Sequence, residues 1–145
     1  MTIHDRDAYM RGIWNWKILD GCFGNTKIAP TDIDGLVERN GNLLILETKS
    51  PGASVPEGQS ITFRRIVQQG VDAGKLNVVI VIWGENGIPT KLRVYSAMHP
   101  EGKNFDDNLE TLRKYVAAWF QRVNKQQWTG SEAILEGIGA ETWST

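Results

Sequence analysis

The chain has 145 residues, 41% of them apolar, which is enough for one buried core without covalent staples. A single cysteine, Cys22, and two histidines, His4 and His99, exclude an intramolecular disulfide and a His/Cys zinc centre. The formal net charge of −1 neither marks nor excludes a nucleic-acid partner, and no apolar run approaches the ~18 residues of a membrane span.

The polar opening MTIHDRDAY lacks the apolar stretch of a signal peptide, and with one cysteine the expectation is a cytoplasmic protein. Residues 5–19 are expected to form a helix, with Asp5 as cap and Tyr9, Ile13 and Trp16 at helical spacing. Trp14 and Trp16 fall on different faces of that helix, so one of them is free to meet solvent, a partner subunit or DNA. Residues 20–31 read as a loop. Residues 33–38 alternate like a strand, Asn40-Gly41 marks a hairpin, and residues 43–49 form the return strand, apolar on both faces over Leu43–Leu46. The Pro/Gly/Ser-rich stretch 50–58 is a loop, and residues 60–73 are a helix with Ile66, Val67 and Val71 on its apolar stripe. Residues 76–84 are the most strand-like segment, Asn86-Gly87 a second turn and residues 90–96 a further strand. Residues 106–123 form a helix with Leu109, Leu112, Val116, Trp119, Phe120 and Val123 on one face. From about residue 128 the tail is acidic, carrying Glu132, Glu136 and Glu141. The order α-β-β-α-β-β-α implies one α/β domain over residues 1–145, with a central mixed four-stranded sheet flanked by helices.

The first hairpin carries the chemistry. Residues two apart on a strand share a face, so Asp32 pairs with Asp34 and Glu47 with Lys49. A turn at Asn40-Gly41 lays the two strands side by side, and two carboxylates and an ammonium converge at one end of the sheet. Mg²⁺ takes oxygen ligands, commonly one or two carboxylates, with phosphate completing the set. Asp34 and Glu47 supply the carboxylates and the Thr48 carbonyl a third protein oxygen. Such an ion polarises a phosphate and acidifies water, while Lys49 orients the attacking water and offsets charge on the phosphate oxygens.

Pro30-Thr31-Asp32-Ile33-Asp34-Gly35 together with Glu47-Thr48-Lys49-Ser50 resembles the PD-(D/E)xK nuclease superfamily, and DGLVERNGNLLILETKS looks like the core of Holliday-junction resolvases and small virus-type or phage-type replication-repair nucleases. The separation from Asp34 to Glu47, 47 − 34 = 13, is typical of that pattern. The resemblance covers residues 30–50 and, loosely, the helix that follows. It implies a restriction-endonuclease-like core, a metal role for Asp34 and Glu47, a catalytic role for Lys49, and Mg²⁺ with Mn²⁺ as substitute. The Pro-Asp pair of the superfamily is broken by Thr31, which leaves Asp32 as an alternative motif aspartate or as an auxiliary ligand. Gln59 looks like the glutamine that several of these families carry after E-x-K to contact water or phosphate; it is equally a helix-start residue. Arg64 and Arg65, farther along that helix, are candidate DNA-backbone contacts. The expected activity is hydrolysis of DNA phosphodiester bonds in recombination, repair or processing, by a monomer or a homodimer, in the host cytoplasm if the chain is phage-encoded. The reading from a different class is a non-catalytic binding module that keeps the hairpin.

Overall fold

Two Asn-Gly pairs fix the strand connections. In the computed structural model, which describes residues 15–106 and 109–127, Asn40 and Gly41 have φ of 51° and 84°, and Asn86 and Gly87 have φ of 53° and 74°. Positive φ at both central residues gives the turn whose twist matches a two-residue hairpin, and Asn and Gly adopt it with least strain. The first turn joins β1 (Gly35–Arg39) to β2 (Asn42–Lys49), and the second joins β3 (Val78–Glu85) to β4 (Ile88–Tyr95). Helix α1 (Glu57–Asp72) crosses from β2 to β3, which therefore run parallel.

The sheet is mixed and has five strands in the order β1-β2-β3-β4-β5, not the expected four. The additional strand, β5 (Lys103–Phe105), is three residues long and pairs antiparallel with β4. A segment that short carries no periodicity of its own, and its pairing partner defines it. α1 begins at Glu57 rather than at residue 60, because Pro56 supplies the turn into the helix and a glycine in the first turn, Gly58, costs little where amides need no intrahelical partner. The final helix, α2 (Leu109–Asn124), follows the expected 106–123 segment.

Each helix covers one face of the sheet. On one face Ile45, Val79, Val81, Trp83 and Tyr95 pack beneath Phe63 and Val67 of α1. On the other, Leu44, Ile80, Leu92 and Val94 pack against Trp119 and Val123 of α2, with Leu112 and Val116 alongside. Leu109 and Phe120 of the expected apolar stripe are exposed instead, because the packed face runs through 112, 116, 119 and 123 at helical spacing. No helix among the described residues is long and apolar enough to cross a membrane.

The chain divides into two compact units, Met1–Asp32 and Ile33–Thr145, and the sheet belongs to the second. Of the helix expected over residues 5–19, residues 5–14, including Trp14, lie outside the described residues. The remainder is a single 3₁₀ turn, Trp16–Leu19, capped by the Asn15 side chain, which accepts from the Lys17 amide. The expected acidic tail from 128 also lies outside the described residues.

Candidate active site

β2 and β3 end together at one edge of the α1-covered face. Ile45 of β2 lies in the core beneath α1, and Glu47 and Lys49, two and four residues on, continue the same face as the strand leaves the core. Glu47 is only 8% exposed, and its Oε1 lies 3.7 Å from Lys49 Nζ. Opposite them, the β1–β2 ladder pairs Gly35 with Leu46, and one further step brings Asp34 across from Glu47.

Asp34 is held firmly. Its Oδ2 accepts from the Thr48 amide at 2.8 Å and from the Thr48 hydroxyl at 2.9 Å. β1 has ended at this point, so the aspartate side chain takes the place of a strand partner for the Thr48 N–H. Oδ1 is left without a partner among the described residues.

The electrostatics single out Glu47. Burial raises its pKa above the ordinary carboxylate value, and the nearby Asp34 charge raises it further. Lys49 and a hydrogen bond from the Gln59 side chain pull it back down, without cancelling the rise. Two acidic groups therefore share a site with too little positive charge, which is the environment a divalent cation relieves.

Gln59 lies in the first turn of α1. Its side chain stands close enough to Glu47 to lower that carboxyl's pKa, while its Oε1 is buried and has no partner, the only such side-chain atom among the described residues. A buried, unmatched amide oxygen costs about 1–3 kcal/mol and calls for a partner such as an ordered water or an ion. The arm that carries α1 into position is pinned from below: Trp83 Nε1 donates to the Ala53 carbonyl at 2.6 Å, and Val55 packs into the core beside it.

Among the described residues no group of three or more His, Cys, Asp and Glu side chains gathers to hold a metal. The oxygens that could hold a cation are the two carboxylates and the Thr48 carbonyl, with the Gln59 amide oxygen beside them, a set that suits Mg²⁺ rather than zinc. A larger groove of about 480 Å³ opens on the α2 side between Thr48, Ile82, Ile88, Leu109 and Leu112. Its walls hold no carboxylate, but Lys49 lines it, so the ammonium beside Glu47 also borders this groove.

The remaining sequence expectations separate. Asp32 lies in the first unit, where its carboxylate accepts from Trp16 Nε1 at 3.2 Å. Arg64 Nη1 is 2.9 Å from Glu101 Oε2, so its charge is matched within the chain, while Arg65 is exposed. At about 100° per residue, Arg64 and Arg65 point roughly 140° and 120° away from Gln59 around the helix, in opposite senses. Neither joins the acidic site by helix geometry. The role of the Thr48 hydroxyl in holding Asp34 escaped the sequence reading, which valued Thr48 for its carbonyl alone; a hydroxyl inside an E-x-K triplet was the available signal. Lys91 and Arg93 were also passed over, although residues two apart on β4 share a face.

Comparison with protein-family models, with curated proteins and with solved structures finds no match to this chain.

Proposed function

We propose that the chain is a Mg²⁺-dependent nuclease of the PD-(D/E)xK type that hydrolyses DNA phosphodiester bonds. The observation that carries this reading is Glu47: a nearly buried carboxylate, flanked by a second carboxylate and a lysine, beside an amide oxygen with nothing to bond. A structural hairpin requires none of these. A surface salt bridge contributes about 0–1 kcal/mol and would sit in solvent rather than at a buried carboxylate.

Asp34 Oδ1, the Glu47 carboxylate and the Thr48 carbonyl would hold the cation. When bound, Mg²⁺ supplies positive charge to the phosphate and acidifies water at neutral pH. Lys49, fixed on the face of Glu47, hydrogen-bonds the attacking water and meets the negative charge that grows on the phosphate oxygens. Gln59 Oε1 accepts a hydrogen bond from that water and orients its lone pair, and the proton the water gives up passes to solvent. Thr48 keeps Asp34 from rotating away, through two hydrogen bonds to the same oxygen. The leaving 3′ or 5′ oxygen takes a proton from solvent, and no covalent intermediate is formed with the chain.

The test is incubation of plasmid, linear duplex and single-stranded DNA with the protein in Mg²⁺ or Mn²⁺, beside EDTA and Lys49→Ala controls. Cleavage that needs the metal and is lost in the variant supports the reading. Absence of metal-dependent cleavage, or equal cleavage by the variant, makes the chain a binding module instead.

A further inference from the structure

The α1-covered face continues past the acidic site into a basic strip. The β2–β3 ladder pairs Lys49 with Trp83, and the β3–β4 ladder pairs Trp83 with Lys91; one row over, Glu47, Val81 and Arg93 line up in the same way. Residues paired across a ladder share a face, so Lys91 and Arg93 stand on the same side as Glu47 and Lys49, two strands away. At 4.7–4.9 Å per strand this is roughly 10 Å.

Both cations rest on one indole. Lys91 Nζ lies 4.6 Å and Arg93 Cζ 5.2 Å from the Trp83 ring centroid, so their separation is below the ~10 Å Debye length of 0.1 M salt. Arg93 Nε donates to Asn104 Oδ1 at 2.7 Å, which fixes the guanidinium and leaves its outer N–H groups available. Neither charge has an acidic partner: the ion pairs among the described residues join Glu47 to Lys49, Arg64 to Glu101 and Lys114 to Glu110. Two like charges held close on a rigid ring, with no carboxylate between them, form a seat for an anion. Trp83 also anchors the loop before α1, so the strip and the acidic site are braced by one residue.

We infer that Lys91 and Arg93 bind a DNA phosphate flanking the scissile one, with the strand running across β2, β3 and β4. The identity of the ligand rests on the nuclease reading; the anion seat itself does not. Phosphate contacts of this kind supply affinity and register without reading sequence.

The test is a salt titration of binding to a fluorescein-labelled oligonucleotide, single-stranded and duplex, in EDTA so that binding is read apart from cleavage. Each phosphate contact contributes about −0.7 to the slope of log K against log salt for a single strand and about −0.9 for a duplex. The Lys91→Gln/Arg93→Gln variant, which loses that one phosphate, is expected to flatten the slope by about 0.7 for the single strand and about 0.9 for the duplex. The charge-keeping Lys91→Arg/Arg93→Lys variant is expected to retain it, and so is Lys114→Gln on α2. An unchanged slope in the double Gln variant overturns the inference. So does equal loss in the charge-keeping variant, which would assign the effect to packing on Trp83, and so does equal loss in Lys114→Gln, which would make binding indifferent to position. Wild-type cleavage, read in parallel, decides the nuclease reading separately: a strip that binds DNA in a protein that does not cut it leaves Lys91 and Arg93 as a phosphate seat and removes the scissile phosphate beside it.

Discussion

The two ends of β2 treat buried polar groups in opposite ways. At the start of the strand Asn42 is 0% exposed, and every hydrogen-bonding group of its side chain is used. Its amide donates to the Arg39 carbonyl at 2.8 Å and to Gln126 Oε1 at 3.1 Å, and its oxygen accepts from the Leu76 amide at 2.7 Å. Asn77 joins Leu43 of β2 to the Ile66 carbonyl of α1, and Asn40 donates to the Val123 carbonyl at the end of α2. These asparagines stitch the first turn, both helices and the sheet together. At the other end Glu47 is nearly as buried, yet its charge is under-compensated and its neighbour Gln59 leaves an oxygen unmatched. A satisfied polar network specifies a fold, whereas a buried group left unmatched costs stability until a water or an ion meets it.

If that contrast is right, substitutions at the two ends fail in different assays. The largest expected effect is on chemistry: Lys49→Ala and Glu47→Ala lower Mg²⁺-dependent DNA cleavage on the order of 10²–10³-fold, and Glu47→Ala leaves the urea unfolding midpoint within experimental error or raises it. At the opposite end the expected order reverses. Gly70→Ala would place a Cβ 2.8 Å from Asn77 Cγ, and the helix or the asparagine must move. Asn42→Ala leaves the partly buried Leu76 amide unpaired, and either change is expected to cost about 1–3 kcal/mol in denaturant unfolding. Neither touches the catalytic groups, so activity per folded molecule should hold.

An intermediate effect is expected in the pH dependence of stability. The pKa of Glu47 is raised in the folded state, by burial first and by Asp34 second, above the ~4.3 of an unfolded glutamate. The folded chain therefore holds the proton more tightly than the unfolded one. Its contribution to stability is fully present below the unfolded value and is lost as pH rises through the folded value. Thermal melts without divalent cations should thus show a Glu47-dependent fall in stability with rising pH over that window, and Glu47→Gln should remove it. Adding Mg²⁺ at neutral pH should raise the wild-type melting temperature and leave the Gln variant unmoved. A wild-type protein indifferent to Mg²⁺ would break the comparison, since both ends of β2 would then be merely structural. The smallest expected effect is that of Thr48→Val, which removes one of two hydrogen bonds to Asp34 Oδ2 and retains the amide; cleavage should fall less than tenfold, consistent with about 1 kcal/mol for a single such bond.

The sequence made some of these features legible and hid others, for reasons that differ by residue. Asn40-Gly41 and Asn86-Gly87 announced the turns, because few other pairs tolerate two positive φ angles. The run Leu43–Leu46 announced a strand covered on both faces, and Leu44 and Ile45 indeed pack toward opposite helices. Glu47 and Lys49 followed from strand alternation alone. Other contacts depend on residues distant in the chain: the match of Arg64 to Glu101, the pairing of Lys103–Phe105 with β4, and the stacking of Lys91 and Arg93 on Trp83. No local pattern encodes those, since each is created when the sheet assembles.

The most direct measurement is the anomalous scattering of a crystal soaked in Mn²⁺. The account predicts a peak coordinated by Asp34 Oδ1 and a Glu47 carboxylate oxygen, at roughly the 2.0–2.1 Å of a Mg²⁺–oxygen bond, with Gln59 Oε1 drawn toward its coordination sphere. A saturating soak that leaves Glu47 bound only to Lys49, or that places manganese elsewhere, would contradict it.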